Sequence, residues 1–132
     1  MIRLGLRDNQ TAFSPGDNIA GAALWEFPKE HKDIEVRLVW STRGKGTEDG
    51  TTVAVEKLDA TKLAETGTFS FTAPDAPYSF NGTLIAVIWA VELVAEPSGE
   101  FERIEITIAP GGKEVVLPRI EQPKSIGGMK AR

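Results

Sequence analysis

FSFTAPDAPYSFNGTLIAVIWAVELVA, running from Phe69 to Ala95, is the stretch on which the fold turns. Phe69 and Phe71 alternate with Thr68, Ser70 and Thr72, the period-two pattern of a strand with one buried face. Pro74 and Pro77 mark a corner, and Asn81-Gly82 marks a turn. From Thr83 to Ala95 the apolar residues occupy both faces. Ile85, Val87, Trp89, Val91 and Leu93 share one side, and Leu84, Ala86, Ile88 and Ala90 the other. Such a run fits a strand with neighbours on both sides, the central strand of a β-sandwich.

Upstream, Ile2, Leu4 and Leu6 alternate with Arg3 and Gly5 as a first strand. In Ser14-Pro15-Gly16-Asp17, proline presets φ at the second turn position and glycine accepts the positive φ of a type II turn at the third. The next strand, Asn18 to Phe27, carries Gly21, Ala22 and Ala23, small residues that suit the close approach of another backbone or a bulge. After a polar connection, Phe27 to Asp33, the residues Ile34, Val36, Leu38 and Trp40 form a clean inward set. Thr42 to Gly50 (TRGKGTEDG) reads as a glycine-rich mobile tip, and Thr51 to Leu58 returns with Val53 and Val55 inward, completing a long hairpin. Asp59 to Gly67 has room for one helical turn capped by Asp59.

Downstream, Glu96-Pro97-Ser98-Gly99 reads as a tight type I turn, Ile104, Ile106 and Ile108 as a strand, and Pro110-Gly111-Gly112 as a turn. Val115 to Leu117 closes the sheet, and residues 119–132, rich in glycine and cations, form a flexible tail behind a domain at 1–118. Short strands without a convincing helix indicate an all-β, antiparallel, immunoglobulin-like sandwich in a single domain. Its expected core includes Val36, Leu38, Trp40, Phe69, Phe71, Ile85, Val87, Trp89 and Val91.

Composition narrows the function classes. At 132 residues, 41% hydrophobic and 26% charged, the chain is a globular domain large enough to bury a core without staples. It has no cysteine, hence no disulfide and no thiolate metal site. A net charge of −4 argues against general attraction to nucleic acid or anionic lipid. The start, MIRLGLRDNQ, does not read as a signal peptide, and the apolar run Leu84 to Val91 is too short for a transmembrane helix. The expected location is the cytoplasm.

Nothing in the chain assembles into catalytic chemistry. The single His31 lies among Lys29, Glu30, Lys32 and Asp33 without an oriented partner, so a solvated surface residue is the simpler reading. One histidine without cysteine cannot supply a zinc site, and Glu48, Asp49 and Asp75 match no calcium loop. Gly44-Lys45-Gly46 and Gly111-Gly112-Lys113 lack the other residues of a phosphate loop and read as hairpin tips. No catalytic residue, metal ligand or cofactor is expected. Trp25, Trp40 and Trp89 sit in strand patterns, where core packing is the simpler role.

Two of these passages together resemble the arrestin-like β-sandwich family. Phe13-Ser14-Pro15-Gly16-Asp17, followed by Ile19 and Gly21, is similar to that family's F-x-P-G-(D/E)-x-(I/V)-x-G motif. The phenylalanine strand, Ala73-Pro74, Pro77-Tyr78-Ser79-Phe80-Asn81-Gly82 and the long strand to Leu93 resemble its proline corner and central strand. Arrestins carry two such sandwiches, and this chain has room for one. The adjacent lysines that sense receptor phosphates in visual-type arrestins have no match in Ile2 to Leu6. The resemblance implies a non-catalytic adaptor or scaffold that binds protein through edge strands and loops. A structural subunit assembling by sheet pairing and a small-ligand-binding sandwich stay open as alternatives.

Candidate binding residues are Arg43, Lys45, Glu48 and Asp49 at the hairpin tip, and Tyr78 and Phe80 at the proline corner. The loop from Phe27 to Asp33 is a further candidate. In the family pattern, Tyr78 and Phe80 would instead pin the corner to the core. A lone sandwich keeps unpaired edge strands, so a homodimer, weak or stable, is expected as well.

Overall fold

The structure, a computed structural model, describes residues 1–28, 33–44, 47–82 and 85–116. Among these residues ten strands follow in order: β1 (Ile2–Leu6), β2 (Ala12–Phe13), β3 (Asn18–Glu26), β4 (Asp33–Gly44), β5 (Thr47–Leu58), β6 (Ala64–Thr72), β7 (Phe80–Asn81), β8 (Ile85–Glu96), β9 (Glu100–Ile108) and β10 (Val115–Val116). Two 3-10 turns, Arg7–Asn9 and Pro110–Gly112, are the helical elements among the described residues. The smaller sheet has the order β1-β3-β6. The larger runs β10-β7-β8-β4-β5, with β9 also on β8 and β2 on β9. The all-β sandwich is therefore what the alternation predicts. The pairings are antiparallel except β2 with β9 and β10 with β7, each only two residues long.

β8 is the central strand that its two-sided apolar pattern calls for. One edge pairs with β4 along its whole length, and the other is shared by β7 and then β9. Residues of both sheets meet in one core around Trp25, Trp89, Phe13, Ile19, Leu38, Leu93 and Ile108. Of the expected core, Val36, Leu38, Phe69, Phe71, Val87, Trp89 and Val91 are buried, and Trp40 packs half-buried against it.

Ile85 is 46% exposed, against expectation. β8 has twelve residues and β3 and β6 nine each, spans of roughly 40 Å and 30 Å. The longer strand has more length than the smaller sheet can cover, and Ile85, opposite Gly44, is its first residue.

Val53 and Val55 are likewise exposed rather than inward, at 45% and 47%. Ala54 and Leu58 take the core side of β5 instead. The ladder slips beside them: Leu38 faces Ala54 and Val39 faces Thr52, leaving Val53 as the extra residue of a bulge.

Three connections also differ from the expected form. The β4–β5 ladder continues through Arg43↔Glu48 to Gly44↔Thr47, so residues 42–44 and 47–50 of the expected nine-residue loop are extended strand, and 45–46 lie outside the described residues. β4 is held straight there because its other edge pairs with β8 as far as Ile85. Residues 59–63 form no helical turn. Asp59 Oδ1 accepts the Thr61 N–H at 3.0 Å, the side-chain turn in which aspartate competes with helix, and β6 has begun by Ala64. The turn after β8 closes through Gly99 N–H to Ala95 O, one residue wider than a type I turn, with Gly99 at φ +75°.

Two local readings are met in detail. Asp17 N–H bonds Ser14 O at 3.0 Å with Gly16 at φ +89°, the type II geometry that Pro15-Gly16 favours. A Cβ added at Gly21 would collide with the carbonyl oxygen of Gly5 on β1, so the small residues of β3 mark a close backbone approach. His31 and the tail 119–132 lie outside the described residues, as do Lys45, Leu84 and Leu117.

Candidate functional site

The passages that carry the family resemblance, far apart in sequence, are bonded to each other. Gly16 N–H donates to Ala73 O and Ala73 N–H donates to Asp17 O, both at 2.8 Å, tying the type II turn to the start of the proline corner. Further along the corner, the indole Nε1–H of buried Trp89 donates to Pro77 O at 2.8 Å. Ser79, 1% exposed, donates its N–H to Ile108 O, while its Oγ accepts the Ile108 N–H at 2.9 Å. A buried hydroxyl so placed satisfies a β9 amide that the corner would otherwise leave unpaired.

These bonds decide where the aromatic candidates point. Ser79 and Trp89 pin the corner, and Tyr78, between the two anchored residues Pro77 and Ser79, is turned outward at 41% exposure. Phe80 is half-buried, paired in β7 with Val87 on one side and Val115 on the other. The pinning role that the family pattern assigns to Tyr78 and Phe80 thus falls to their neighbours. Ser79 was legible in principle, as the one polar residue between two aromatics next to a proline.

Beside this corner, β7 and β9 share an edge of β8 and leave a notch between them. An open hollow of about 380 Å³ lies there, lined among others by Thr11, Arg43, Asn81, Glu105, Thr107 and Glu114. The structure therefore brings Arg43 of the hairpin to the Ser79–Asn81 end of the corner. Tyr78 and Phe80 do not line the hollow. Glu48 and Asp49 pair along the backbone with Arg43 and Thr42, and their side chains, like Lys45, lie outside the described residues.

The hollow opens on a chain of alternating charges across the outer face of the larger sheet. Arg43 Nη2 meets Glu105 Oε2 at 2.9 Å, Arg103 Nη2 meets the same oxygen at 3.6 Å, and Arg103 Nη1 meets Glu92 Oε2 at 2.6 Å. Sequence reading missed Glu92, Arg103 and Glu105, because only the β4–β8–β9 register places them beside Arg43. Arg43 and Glu105 are about half exposed and contribute little to stability, roughly 0–1 kcal/mol. Arg103 and Glu92 are three-quarters or more covered and form the firmer pair. Beneath the chain the outward-facing Val39, Ser41 and Ala90 are buried. A second hollow of about 230 Å³, near Ser41, Gly50, Thr52, Glu92 and Arg103, lies on the other side of the pairs.

Chemically the face offers hydroxyl, amide and balanced charged groups on a buried floor, a set suited to polar recognition. Among the described residues no group of three or more histidine, cysteine, aspartate or glutamate side chains is placed to hold a metal. Among them, too, no helix is long and apolar enough to cross a membrane.

No protein-family model matches the chain, and no characterised protein matches it by sequence. Its fold is similar to that of Spo0M, a sporulation control protein from Bacillus subtilis, with a TM-score of 0.56 and 16% identity. The likeness covers 82% of this chain and 48% of that one, so the chain spans about half the length of the protein it matches. At this identity the likeness is one of fold: the arrestin-like resemblance rests on the sandwich and its topology.

Proposed function

We propose that the chain is a non-catalytic adaptor or scaffold module whose protein partner docks on the outer face of the larger sheet, around Arg43 and the notch between β7 and β9. One observation carries this reading. Arg43 of the hairpin and Ser79 and Asn81 of the corner, remote in sequence, line one open polar hollow beside the buried bonds of Ser79 and Trp89. Recognition elements on a rigid sandwich can vary without disturbing the core. The alternating charges suit a polar, charge-balanced contact, in which Arg43 and Glu105 can exchange their mutual pair for a partner's groups at little cost. That the sporulation control protein shares the fold is in keeping with a regulatory role.

The test is capture of proteins from extracts of the native cells on the immobilised chain and its variants. Replacing Arg43 and Lys45 with serine should leave the melting temperature unchanged and weaken capture. If capture survives that change but is lost in a folded Tyr78→Ala variant, the docking site is the outward tip of the corner and the notch is not involved.

A further inference from the structure

Two polar residues are buried among those described, and they are not alike. The hydroxyl of Ser79 accepts the Ile108 N–H. Ser41 is 8% exposed, and among the described residues its hydroxyl makes no hydrogen bond. A buried hydroxyl without a partner is costly, so this one calls for a partner from outside the chain. Ser41 lies on the outer face of β4, which it shares with Val39 and Arg43. Its cross-strand neighbour on β5 is Gly50. With no side chain at that position, Ser41 borders an open hollow of about 230 Å³. Thr52, Glu92 and Arg103 also line it. Arg103 Nη1 and Glu92 Oε2 are 2.6 Å apart, with side chains only 25% and 14% exposed, so their charges are matched to each other.

We propose that this hollow receives the carboxamide of an asparagine or glutamine side chain of the protein partner. The inference rests on the docking face proposed above and adds to it a second contact, across the ion-pair chain from the notch. Size selects a side-chain end, because pockets that enclose a whole ligand hold about 300–1,000 Å³. Charge selects a neutral group. An anion would meet Glu92 and a cation would meet Arg103, and either could be matched only by breaking a covered pair. Hydrogen-bonding capacity selects the primary amide. Its NH₂ has two donors for two acceptors, the Glu92 carboxylate and the Ser41 hydroxyl, and its oxygen accepts from the Arg103 guanidinium. A hydroxyl or a peptide N–H has one donor and meets only one of those acceptors.

The free chain tests the hollow without a partner. In titrations followed by NMR, acetamide should shift the backbone amide signals of Ser41, Gly50 and Thr52 saturably. Acetate, methylammonium and N-methylacetamide should do so more weakly or not at all. Ser41→Ala should weaken acetamide binding by about threefold to tenfold. Its melting temperature should be unchanged or raised, because the hydroxyl has no partner in the free fold. Gly50→Val should fill the hollow and abolish binding. It should fold, since a Cβ at Gly50 meets nothing nearer than Trp40 O at 3.9 Å. Both variants should also weaken capture of the partner. Absence of any saturable shift overturns the proposal, the hollow then holding water only. So does binding of one of the other three probes as tightly as acetamide, or a lowered melting temperature in Ser41→Ala. Capture that depends on Arg43 and Lys45 but not on Gly50 overturns this contact and keeps the docking face, and capture of nothing at all overturns both.

Discussion

The corner at residues 73–79 and the connection at residues 59–63 each present a backbone carbonyl to a buried indole. Trp89 Nε1–H reaches Pro77 O at 2.8 Å, and Trp25 Nε1–H reaches Lys62 O at 3.1 Å. Around that shared task the two are built differently. The corner is fixed by bonds in the interior, Ser79 to Ile108 and Ala73 to the type II turn. The other connection also has inward anchors, Leu63 O accepting the Phe27 N–H at 2.8 Å and Ala60 in the core. Its own turn, however, is held at the surface, by Asp59 turning back on Thr61 and by Lys62 pairing with Glu65 at 3.2 Å. Bonds shielded from water retain their strength and are costly to leave half-made, whereas exposed ones exchange with water at little loss. The corner should therefore behave as part of the core, and the connection as an anchored loop whose outer bonds pH can loosen.

The largest expected effect is at the corner. Trp89→Ala removes a fully buried ring and leaves Pro77 O without its donor, and should cost about 3–5 kcal/mol. Chemical denaturation measures this, and a loss below about 1 kcal/mol would mean that the ring is not in the core. Ser79→Ala comes next. It keeps the backbone bond to Ile108 O but strands the buried Ile108 N–H, for about 1–3 kcal/mol. Hydrogen exchange at the Ile108 amide should accelerate in that variant, and unchanged exchange would show that the hydroxyl bond does not matter.

The smallest effect is at the other connection and depends on pH. Hydrogen bonds from the Thr61 side chain and then its backbone hold the Asp59 carboxyl below its ordinary value. Lys62, then the Thr66 amide, do the same for Glu65. A carboxyl whose pKa is lowered by folding stabilises the fold at pH above its unfolded value, and that contribution is lost as pH falls through the folded value. Asp59→Asn should therefore flatten part of the acid limb of the stability profile and leave neutral pH nearly unchanged. Asp59 is exposed and Glu65 about two-fifths so, and water screens both, so the change is small. A large loss at neutral pH would show that the connection is core-like after all, and would erase the contrast with the corner.

The two connections also differ in how far they can be read in advance. Pro74, Pro77 and the Pro15-Gly16 pair restrict φ and ψ by their own covalent structure, so corner and turn follow from local sequence. Asp59 to Gly67 has no such restriction, and its composition suits a helical turn or an aspartate turn about equally. The demand of the Trp25 indole for an acceptor, 37 residues away, favours the second. β5 shows the same limit. Alternation marks Val53 and Val55 as one face, but a single extra residue in the ladder sets which face turns inward, and the choice falls to Ala54 and Leu58 packing on the core.

By itself the sequence determined the all-β class, the central position of β8, the type II turn, the corner and most of the core. Each follows from a period of two or from a residue with restricted or unusual backbone freedom, and such signals need no knowledge of distant partners. Only the tertiary structure decided the rest: the exposure of Ile85 at the start of β8, the outward valines of β5, the meeting of Arg43 with the corner and the ion-pair chain through Glu105, Arg103 and Glu92. Those depend on which strands lie side by side and in what register, relations between residues far apart in the chain that no local pattern encodes.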